Sequence, residues 1–247
     1  MEVEKQRGLT QMVAGVAHEI NTPLGVAGTA ASIVEREVEK LDPLAVDRKS
    51  KAALEDIREA LGLLKGNLER AHKLVQDFKK VSVSQLRDAK EPLDVPEAIR
   101  ATLNLAQVSL KRSQITVAFN DALPPGTQTW VGYRGYLSQI LLNLLTNVER
   151  YAYPAGQGGA VEVDLSLDGP GDYALVVRDF GRGIPEQDLG RVFEPLFTTG
   201  RAAGGTGLGM TIVYNLATTA LKGRIEVHSV VGRGTEVRIT FPRVVPD

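Results

Sequence analysis

The chain of 247 residues carries a formal net charge of −1, with 43% hydrophobic and 24% charged residues. This length allows one large domain or two smaller ones, and the nearly neutral charge gives no reason to expect a nucleic acid or a membrane surface as a partner. The absence of cysteine excludes disulfides, thiolate metal sites and cysteine nucleophiles, and it fits a reducing cytoplasm. No segment approaches the roughly 18 uninterrupted apolar residues of a membrane span, and the charged N-terminus is not a signal peptide. We therefore expect any membrane anchor to lie outside this sequence.

The first predicted element is a long helix from about Glu2 to Lys40. Its apolar residues recur at spacings of three and four, at Leu9, Val13, Val16, Ile20, Leu24 and Ala27. His18 falls off this apolar face. Pro23 cannot donate a hydrogen bond to the carbonyl of Glu19 and crowds it, so we expect the helix to bend or loosen beside His18. An exposed imidazole next to a carboxylate at such a point indicates chemistry on the histidine, although a single histidine on a helix surface is more often an inert solvated residue.

A second predicted helix follows the stretch Leu41–Leu44, where Pro43 disfavours a helical conformation in the residue before it. Its apolar residues form a heptad seam, at Leu54, Ile57, Leu61, Leu64, Leu68, Ala71, Val75 and Phe78. One hairpin of two such helices leaves its apolar stripes half uncovered, so we expect a homodimer in which two hairpins form a four-helix bundle. The alternative is that the helices pack on the rest of the same chain. His72, which lies between two seam residues, is given no role.

The pattern changes after Gln85, where Pro92 and Pro96 mark a boundary. We expect a helical domain over residues 1–84, a linker over 85–92 and a second domain over 93–247. The second domain alternates helices, predicted at Val95–Leu110, Tyr136–Tyr151 and Leu208–Leu221, with strands, predicted at Ile115–Phe119, Gln128–Val131, Val161–Leu167, Tyr173–Arg178, Arg224–His228 and Thr235–Phe241. This order predicts a multi-domain chain, α followed by an α+β sandwich in which helices cover one face of a mixed sheet. His228 is most simply a surface residue on its strand.

The first cluster of chemically informative residues lies in the predicted helix Tyr136–Tyr151. Asn143 and Asn147 are four residues apart on one face, and Arg150 follows three residues later. Amide oxygens suit Mg²⁺, which takes few protein ligands and keeps phosphates and waters for the rest. Arg150 could pair with a phosphate. The alternative is an ordinary polar helix face.

The second cluster, Asp179–Pro185, follows a strand. An ionised aspartate only accepts hydrogen bonds, so a buried one requires a donor, and the exocyclic amine of adenine is such a donor. Gly181 and Gly183 would allow the backbone to pass close to a ring. The alternative is a Gly-Pro turn with a capping acid.

A third cluster, the glycine-rich Gly204–Gly209, opens a helix. Free backbone N–H groups ahead of a helix form an anion site, and the preceding polar run from Thr198 can serve as a mobile lid. The spacing fits neither the Rossmann fingerprint nor the P-loop. In a fourth cluster, Gly234–Thr235, the threonine hydroxyl could reach a base through water.

In this order, behind a helical hairpin that carries His18, the clusters resemble the sensor histidine kinases of two-component signalling over nearly the whole chain. The resemblance identifies five boxes: an H box at Val16–Leu24, an N box at Asn143–Tyr151, glycine boxes at Asp179–Ile184 and Gly205–Gly209, and an F box at Phe193–Phe197. It implies a dimerisation and phosphotransfer hairpin, and an ATP-binding domain of the kind shared with gyrase, Hsp90 and MutL. A response regulator is the implied partner, and the implied location is the bacterial cytoplasm, for a soluble kinase or for the cytoplasmic part of a membrane-bound sensor.

The resemblance also implies roles for individual residues. His18 would be the phosphoacceptor and Glu19 would orient or deprotonate it, although neighbours in sequence do not face each other on a helix. Thr22 would place the water that removes phosphate from the partner's aspartate. Asn147 would hold Mg²⁺, Asn143 and Arg150 would contact the phosphates of ATP, Tyr151 would flank the nucleotide, and Asp179 would bind the adenine amine. The other implied nucleotide contacts are Gly181, Gly183, Ile184, Thr199, Gly205, Gly207, Leu208, Gly209 and Thr235.

Two departures and two rival functions accompany this interpretation. Asn21 stands where many family members carry a basic residue, and the lid between Thr199 and Gly204 is short. One rival is an ATP-driven clamp, which would use a glutamate at the N-box position that Asn143 occupies. The other is a non-catalytic dimeric scaffold with a degenerate nucleotide pocket. Asp179, Asn147 and the paired glycines argue against the scaffold.

Overall fold

The computed structural model describes residues 2–41, 47–82, 89–154, 156–169, 171–200 and 205–246; in the helical region, side chains are described from Ile20 onwards, except for 22, 70, 73, 74 and 76–82. The chain divides into two compact units, Met1–Val83 and Ser84–Asp247. Within the described ranges, no helix combines the length and the apolarity that a membrane crossing requires.

The first unit is a hairpin of two helices, α1 (Glu2–Leu41) and α2 (Arg48–Ser82). Helix α1 continues through Pro23 to Leu41, and the turn predicted around Pro43 lies outside the described residues. Asp47 caps the N-terminus of α2, because its carboxylate accepts hydrogen bonds from the backbone N–H groups of Lys49 (2.8 Å) and Ser50 (2.9 Å). These contacts cap donors that the first turn leaves unpaired.

Only part of the predicted seam is buried within the hairpin. The buried core contains Ala31, Val38, Leu54 and Leu61, with Leu68 packed against it. The alternate seam positions Ile57 and Leu64 remain 41% and 46% exposed. The hairpin therefore buries every seventh residue of α2 and leaves a second apolar stripe uncovered.

The second unit contains seven strands and four α-helices among the described residues. In chain order these are β1 (Glu91–Asp94), α3 (Val95–Arg112), β2 (Ile115–Asp121), β3 (Thr129–Gly132), α4 (Arg134–Asn147), β4 (Gly159–Asp168), β5 (Asp172–Asp179), α5 (Glu186–Leu189), α6 (Gly209–Asn215), β6 (Arg224–Val230) and β7 (Gly234–Pro242). A π-helical turn extends α4 over Val148–Ala152, and another extends α6 over Leu216–Ala220.

Five strands form the main sheet, in the order β2-β4-β5-β7-β6. Strands β2 and β4 are parallel and the other neighbours are antiparallel, so the sheet is mixed as predicted. The predicted α+β sandwich is therefore confirmed. Alternate residues of β4 (Val161, Val163 and Leu165) are fully buried, whereas the charged side chains between them, Glu162 and Asp164, are partly exposed on the other face. On that charged face Arg178 forms ion pairs with Glu162 (3.0 Å) and Glu236 (2.7 Å).

A second, two-stranded sheet of β1 and β3 was not expected from the sequence. The predicted linker ended at residue 92, but Glu91 and Pro92 already belong to β1, which pairs with β3. A proline is tolerated there because β1 is an edge strand. Buried Trp130 on β3 donates a hydrogen bond from its indole N–H to the carbonyl of Pro242 (3.0 Å), which ties this small sheet to the end of β7.

Candidate active site

The first site residue, Asp179, ends strand β5 with only 9% of its surface exposed. Its Oδ1 atom accepts a hydrogen bond from the backbone N–H of Gly181 at 2.9 Å. Burial raises the pKa of the Asp179 carboxyl, while the backbone N–H groups of Gly181 and Thr235 act in the opposite direction. The site therefore contains a buried acceptor that two backbone donors hold in position.

The loop after Asp179 depends on two glycines. A β-carbon at Gly181 would overlap the carbonyl oxygen of Ala152, which accepts a hydrogen bond from the N–H of Arg182 (2.8 Å). Gly183 has a φ of +69°, and a β-carbon there would overlap the carbonyl oxygen of Val230. The first glycine box is thus in direct backbone contact with the end of the N box and with β6.

Helix α4 and its π-helical turn carry the N box. The sequence predicted an α-helix through Tyr151, but the backbone changes to π geometry at Val148, so Arg150 and Tyr151 are not continuous with the α-helical face of Asn143 and Asn147. Single π turns inside helices are frequent at functional sites. Asn143 Oδ1 accepts a hydrogen bond from the side chain of Gln139 (3.2 Å).

Asn143 also presents an unsatisfied donor. Its Nδ2 atom is buried and has no hydrogen-bond partner within the described part of the chain. A buried donor without a partner is energetically unfavourable, and such groups call for an explanation such as a bound ligand. Asn147 lies one turn later in the same helix. Gly209, the first residue of α6, is close to it, since a β-carbon on Gly209 would be 3.4 Å from the amide oxygen of Asn147.

The second glycine box packs against the F box. Gly207 has a φ of +71°, its carbonyl accepts a hydrogen bond from the N–H of Leu196 (3.0 Å), and a β-carbon on it would overlap the Leu196 backbone. Leu196 itself has a φ of +66°. The next turn adds a contact, since the hydroxyl of buried Thr211 donates to the carbonyl of Phe193 at 3.0 Å.

Tyr151 marks the boundary of the predicted lid. Its ring lies against Gly200 and its hydroxyl against Gly205, so that a β-carbon at either glycine would overlap it. The N–H of Gly205 donates to the carbonyl of Gly200 at 3.2 Å. Lid residues 201–204 lie outside the described residues, and Thr199 is exposed at their edge.

Leu208 and Thr235 are two of the implied nucleotide contacts. Leu208 is only 1% exposed, so its side chain belongs to the core and only its backbone is available to a ligand. Thr235 lies directly opposite Asp179 on β7, with its hydroxyl 2.9 Å from that of Ser229.

Two residues that sequence reasoning missed position the first glycine box. The hydroxyl of Tyr153 accepts hydrogen bonds from the backbone N–H groups of Phe180 (3.0 Å) and Ala160 (3.2 Å). The hydroxyl of Ser229 accepts one from the N–H of Ile184 (2.8 Å). The position of Tyr153 just after the N box is a weak sequence signal for a role in the site. The alternation of exposed and half-buried residues along β6 gives no such signal for Ser229.

The residues brought together here fit ATP. They supply a buried acceptor at Asp179, an unpaired donor at Asn143 and glycines that keep the backbone open to a ligand. For Mg²⁺ the amide oxygen of Asn147 is a suitable hard ligand. The described residues contain no cluster of three or more His, Cys, Asp or Glu side chains, so phosphate and water oxygens would have to complete its coordination.

The H box lies in the other unit. His18, Glu19 and Thr22 belong to the continuous helix α1, but their side chains lie outside the description. The helical backbone alone places Thr22 four residues, or about one turn, beyond His18.

Comparison with known proteins identifies both units. Residues 9–83 match the family model of the His Kinase A (phospho-acceptor) domain. Residues 132–245 match the model of the histidine kinase-, DNA gyrase B- and HSP90-like ATPases. The chain therefore belongs to the sensor histidine kinases and comprises their catalytic core.

Individual relatives agree with this assignment. The sensor protein kinase PilS of Pseudomonas aeruginosa is 31% identical over 240 residues, covering 96% of this chain and 41% of PilS. The crystal structure of full-length ShkA in complex with AMPPNP aligns over 96% of this chain and 46% of ShkA, with a TM-score of 0.68 and 24% identity. The histidine kinase ThkA in complex with the response regulator TrrA aligns over 98% of this chain and 65% of ThkA, with a TM-score of 0.63 and 21% identity.

The last two similarities support the fold alone. The chain spans less than half the length of the curated relatives it matches.

Proposed function

We propose that this chain transfers the γ-phosphoryl group of ATP to His18 and then to an aspartate of a response regulator. The observation that carries the proposal is the presence, in one chain, of a phosphoacceptor domain that contains His18 and an ATPase-type domain with a buried, backbone-held carboxylate at Asp179. ThkA, whose fold this chain shares, is in complex with a response regulator, and we propose the same class of partner for this chain.

The chain's own residues hold the nucleotide. Asp179 accepts a hydrogen bond from the adenine amine, and Asn143 donates a hydrogen bond from its unpaired Nδ2 atom to a phosphate oxygen. Arg150 adds positive charge near the phosphates, and Tyr151 packs beside the nucleotide. Backbone N–H groups from Gly207 to Gly209 surround the phosphates, in the manner of other glycine-rich anion sites. The N–H of Gly205 is already bonded to the carbonyl of Gly200, so Gly205 contributes by keeping the backbone close to the site. Gly181, Gly183, Ile184, Thr199 and Thr235 line the remainder of the site.

Asn147 holds Mg²⁺ through its amide oxygen. When bound, the ion supplies positive charge that offsets the charge on the phosphate oxygens during transfer. The chemistry at His18 is nucleophilic. A neutral imidazole nitrogen forms a P–N bond while the bond from phosphorus to the ADP oxygen breaks, and the imidazole proton leaves to a base, which we assign to Glu19.

Assembly and location follow from the same proposal. The uncovered stripe that contains Ile57 and Leu64 pairs with that of a second chain to form a four-helix bundle. The reaction takes place in the bacterial cytoplasm, in a soluble kinase or in the cytoplasmic part of a membrane-bound sensor.

The test is self-labelling with ATP that is radiolabelled at the γ-phosphate. We expect the chain to incorporate label in the presence of Mg²⁺, as an acid-labile and alkali-stable phosphoramidate. His18→Ala should abolish the label. His72→Ala, which changes an exposed histidine on the other helix, is the matched control and should label normally. Label that persists in His18→Ala would overturn the assignment.

A further inference from the structure

Ser229 lies beside the candidate ATP site, in a row of polar side chains that crosses three strands. In the sheet register Ser229 on β6 is opposite Thr235 on β7, and Thr235 is opposite Asp179 on β5. Side chains directly opposite each other on neighbouring antiparallel strands point to the same face. Asp179, Thr235 and Ser229 therefore share one face of the sheet, and we refer to them as the polar row.

The hydroxyl of Ser229 makes three polar contacts. The backbone N–H of Ile184 lies 2.8 Å from Ser229 Oγ, and the carbonyl oxygen of Gly234 lies 2.9 Å from it. The hydroxyl oxygen of Thr235 is also 2.9 Å away. Ser229 on β6 thus connects the first glycine box to the start of β7.

These three contacts fix the direction of the hydrogen bond between the two hydroxyls. A serine hydroxyl has one proton to donate and two lone pairs that accept. The N–H of Ile184 can only donate and the carbonyl of Gly234 can only accept, so Ser229 gives its proton to Gly234 and receives one from Ile184. One lone pair of Ser229 then remains, and the partner that fills it is the hydroxyl proton of Thr235.

The direction of this bond determines what Thr235 offers to a ligand. Its only hydroxyl proton is committed to Ser229, so its oxygen presents lone pairs alone. The neighbouring Asp179 carboxylate is also an acceptor. The polar row therefore offers acceptors to a bound base, and these match the amino group at position 6 of adenine but not the oxygen that guanine and hypoxanthine carry there.

We propose that Ser229 is a positioning residue that fixes the Thr235 hydroxyl as an acceptor and thereby favours 6-amino over 6-oxo purine nucleotides. The inference rests on the proposed function, in that the second unit binds a purine nucleotide. Ser229 acts through Thr235 and through the glycine box, and it needs no contact of its own with the base.

The test compares the affinities of the full chain for ATP and ITP by calorimetry, without measuring phosphoryl transfer. Ser229→Ala should weaken ATP binding about tenfold, the size expected for one hydrogen bond. It should affect ITP much less, because a freed Thr235 proton can then donate to the 6-oxygen. Ser229→Thr keeps the hydroxyl and should restore the ATP preference. Ser166→Ala is the matched control, since Ser166 lies on the opposite face of the sheet on β4.

Two further measurements separate positioning from a general structural effect. If Ser229 acts through the Thr235 hydroxyl, then adding Ser229→Ala to a Thr235→Val chain should leave the ratio of ATP to ITP affinity unchanged. If the two residues acted independently, the second substitution would lower this ratio by the same factor as in the unmodified chain. In the nucleotide-free chain, Ser229→Ala should also speed hydrogen exchange at the Ile184 amide.

An unchanged or uniformly scaled affinity ratio in Ser229→Ala would overturn the inference. Failure of the unmodified chain to bind ATP would instead overturn the proposed function.

Discussion

Asp179 shows how a binding residue can oppose folding stability. Burial raises the pKa of its carboxyl, so the native chain binds a proton more readily than the unfolded chain does. In the unfolded chain the carboxyl of Asp179 has its ordinary pKa, 3.8, and in the native chain its pKa is higher. The free energy of unfolding therefore falls as the pH rises from 3.8 through the native pKa. Above the native pKa, the ionised carboxylate destabilises the nucleotide-free domain.

Asp179→Asn should therefore separate binding from stability. The amide oxygen can still accept the hydrogen bond from Gly181, but the amide nitrogen adds a donor where the adenine amine also donates. We expect ATP affinity to fall roughly 10- to 100-fold. The melting temperature without nucleotide should not fall, and the stabilisation that ATP confers should be lost. Undiminished ATP affinity would mean that the pocket is assigned to the wrong residues.

We predict that phosphatase activity can be separated from kinase activity at Thr22. Helix α1 is continuous from Glu2 to Leu41, so Thr22 lies one turn beyond His18. A hydroxyl there can hold a water aimed at the phosphoaspartate of the regulator, whereas transfer to His18 does not need it.

Thr22→Ala should keep self-labelling and phosphotransfer near normal and slow dephosphorylation of the regulator. The measurement is the decay of the phosphorylated cognate regulator in the presence of each variant. Thr29→Ala provides the control, since the Thr29 hydroxyl on the same helix donates only to the carbonyl of Gly25 (3.0 Å) in the described structure. Equal loss of kinase and phosphatase activity would assign Thr22 a structural role beside Pro23.

At the scale of elements, the hairpin uses its heptad seam in two ways. Leu61 is 7% exposed and packs between α1 and α2, whereas Leu64 is 46% exposed on the same helix. The first position holds one hairpin together, and we propose that the second contacts another chain. A charge at the two positions should therefore have different consequences.

Leu64→Glu should give a folded hairpin that no longer dimerises, because the new charge remains in water in the monomer but would be buried in the bundle. Leu61→Glu should unfold the hairpin itself, since an unpaired buried charge costs several kcal/mol. Analytical ultracentrifugation and circular dichroism distinguish the two results. Leu63→Glu, at a position that is already 64% exposed and off the seam, is the control and should leave a dimer. A stable, active Leu64→Glu dimer would contradict this use of the seam.

The longer helices and the five strands of the main sheet could be predicted because their burial follows regular periods. The four-residue helix α5 was not predicted, because it is too short to show such a period and buries none of its residues. Strand β1 could not, since its four residues include Pro92 and their pairing with β3 depends on contacts distant in sequence. The π turn after Asn147 was also missed, because a one-residue change in hydrogen bonding does not disturb the apolar spacing.

The site was also partly predictable. The order of the clusters along the chain, which matches that of a known family, singled out Asp179 and the glycines. Ser229 and Tyr153 instead act through hydrogen bonds to the backbone of other strands and loops. Such contacts leave no periodic trace in the sequence.

At the scale of the whole molecule, the phospho-acceptor domain and the ATPase-type domain belong to two separate compact units of one chain. Neither unit alone contains the reaction that we propose. The proposed reaction therefore moves the γ-phosphoryl group of ATP bound by the second unit to the first unit.

The most direct test is to incubate the unmodified chain with Mg-ATP and to locate the phosphoryl group by mass spectrometry under alkaline conditions. We predict one phosphoryl group, on the peptide that contains His18, and none when ADP replaces ATP. A phosphoryl group on any other residue, or ATP binding without any modification of the chain, would contradict it.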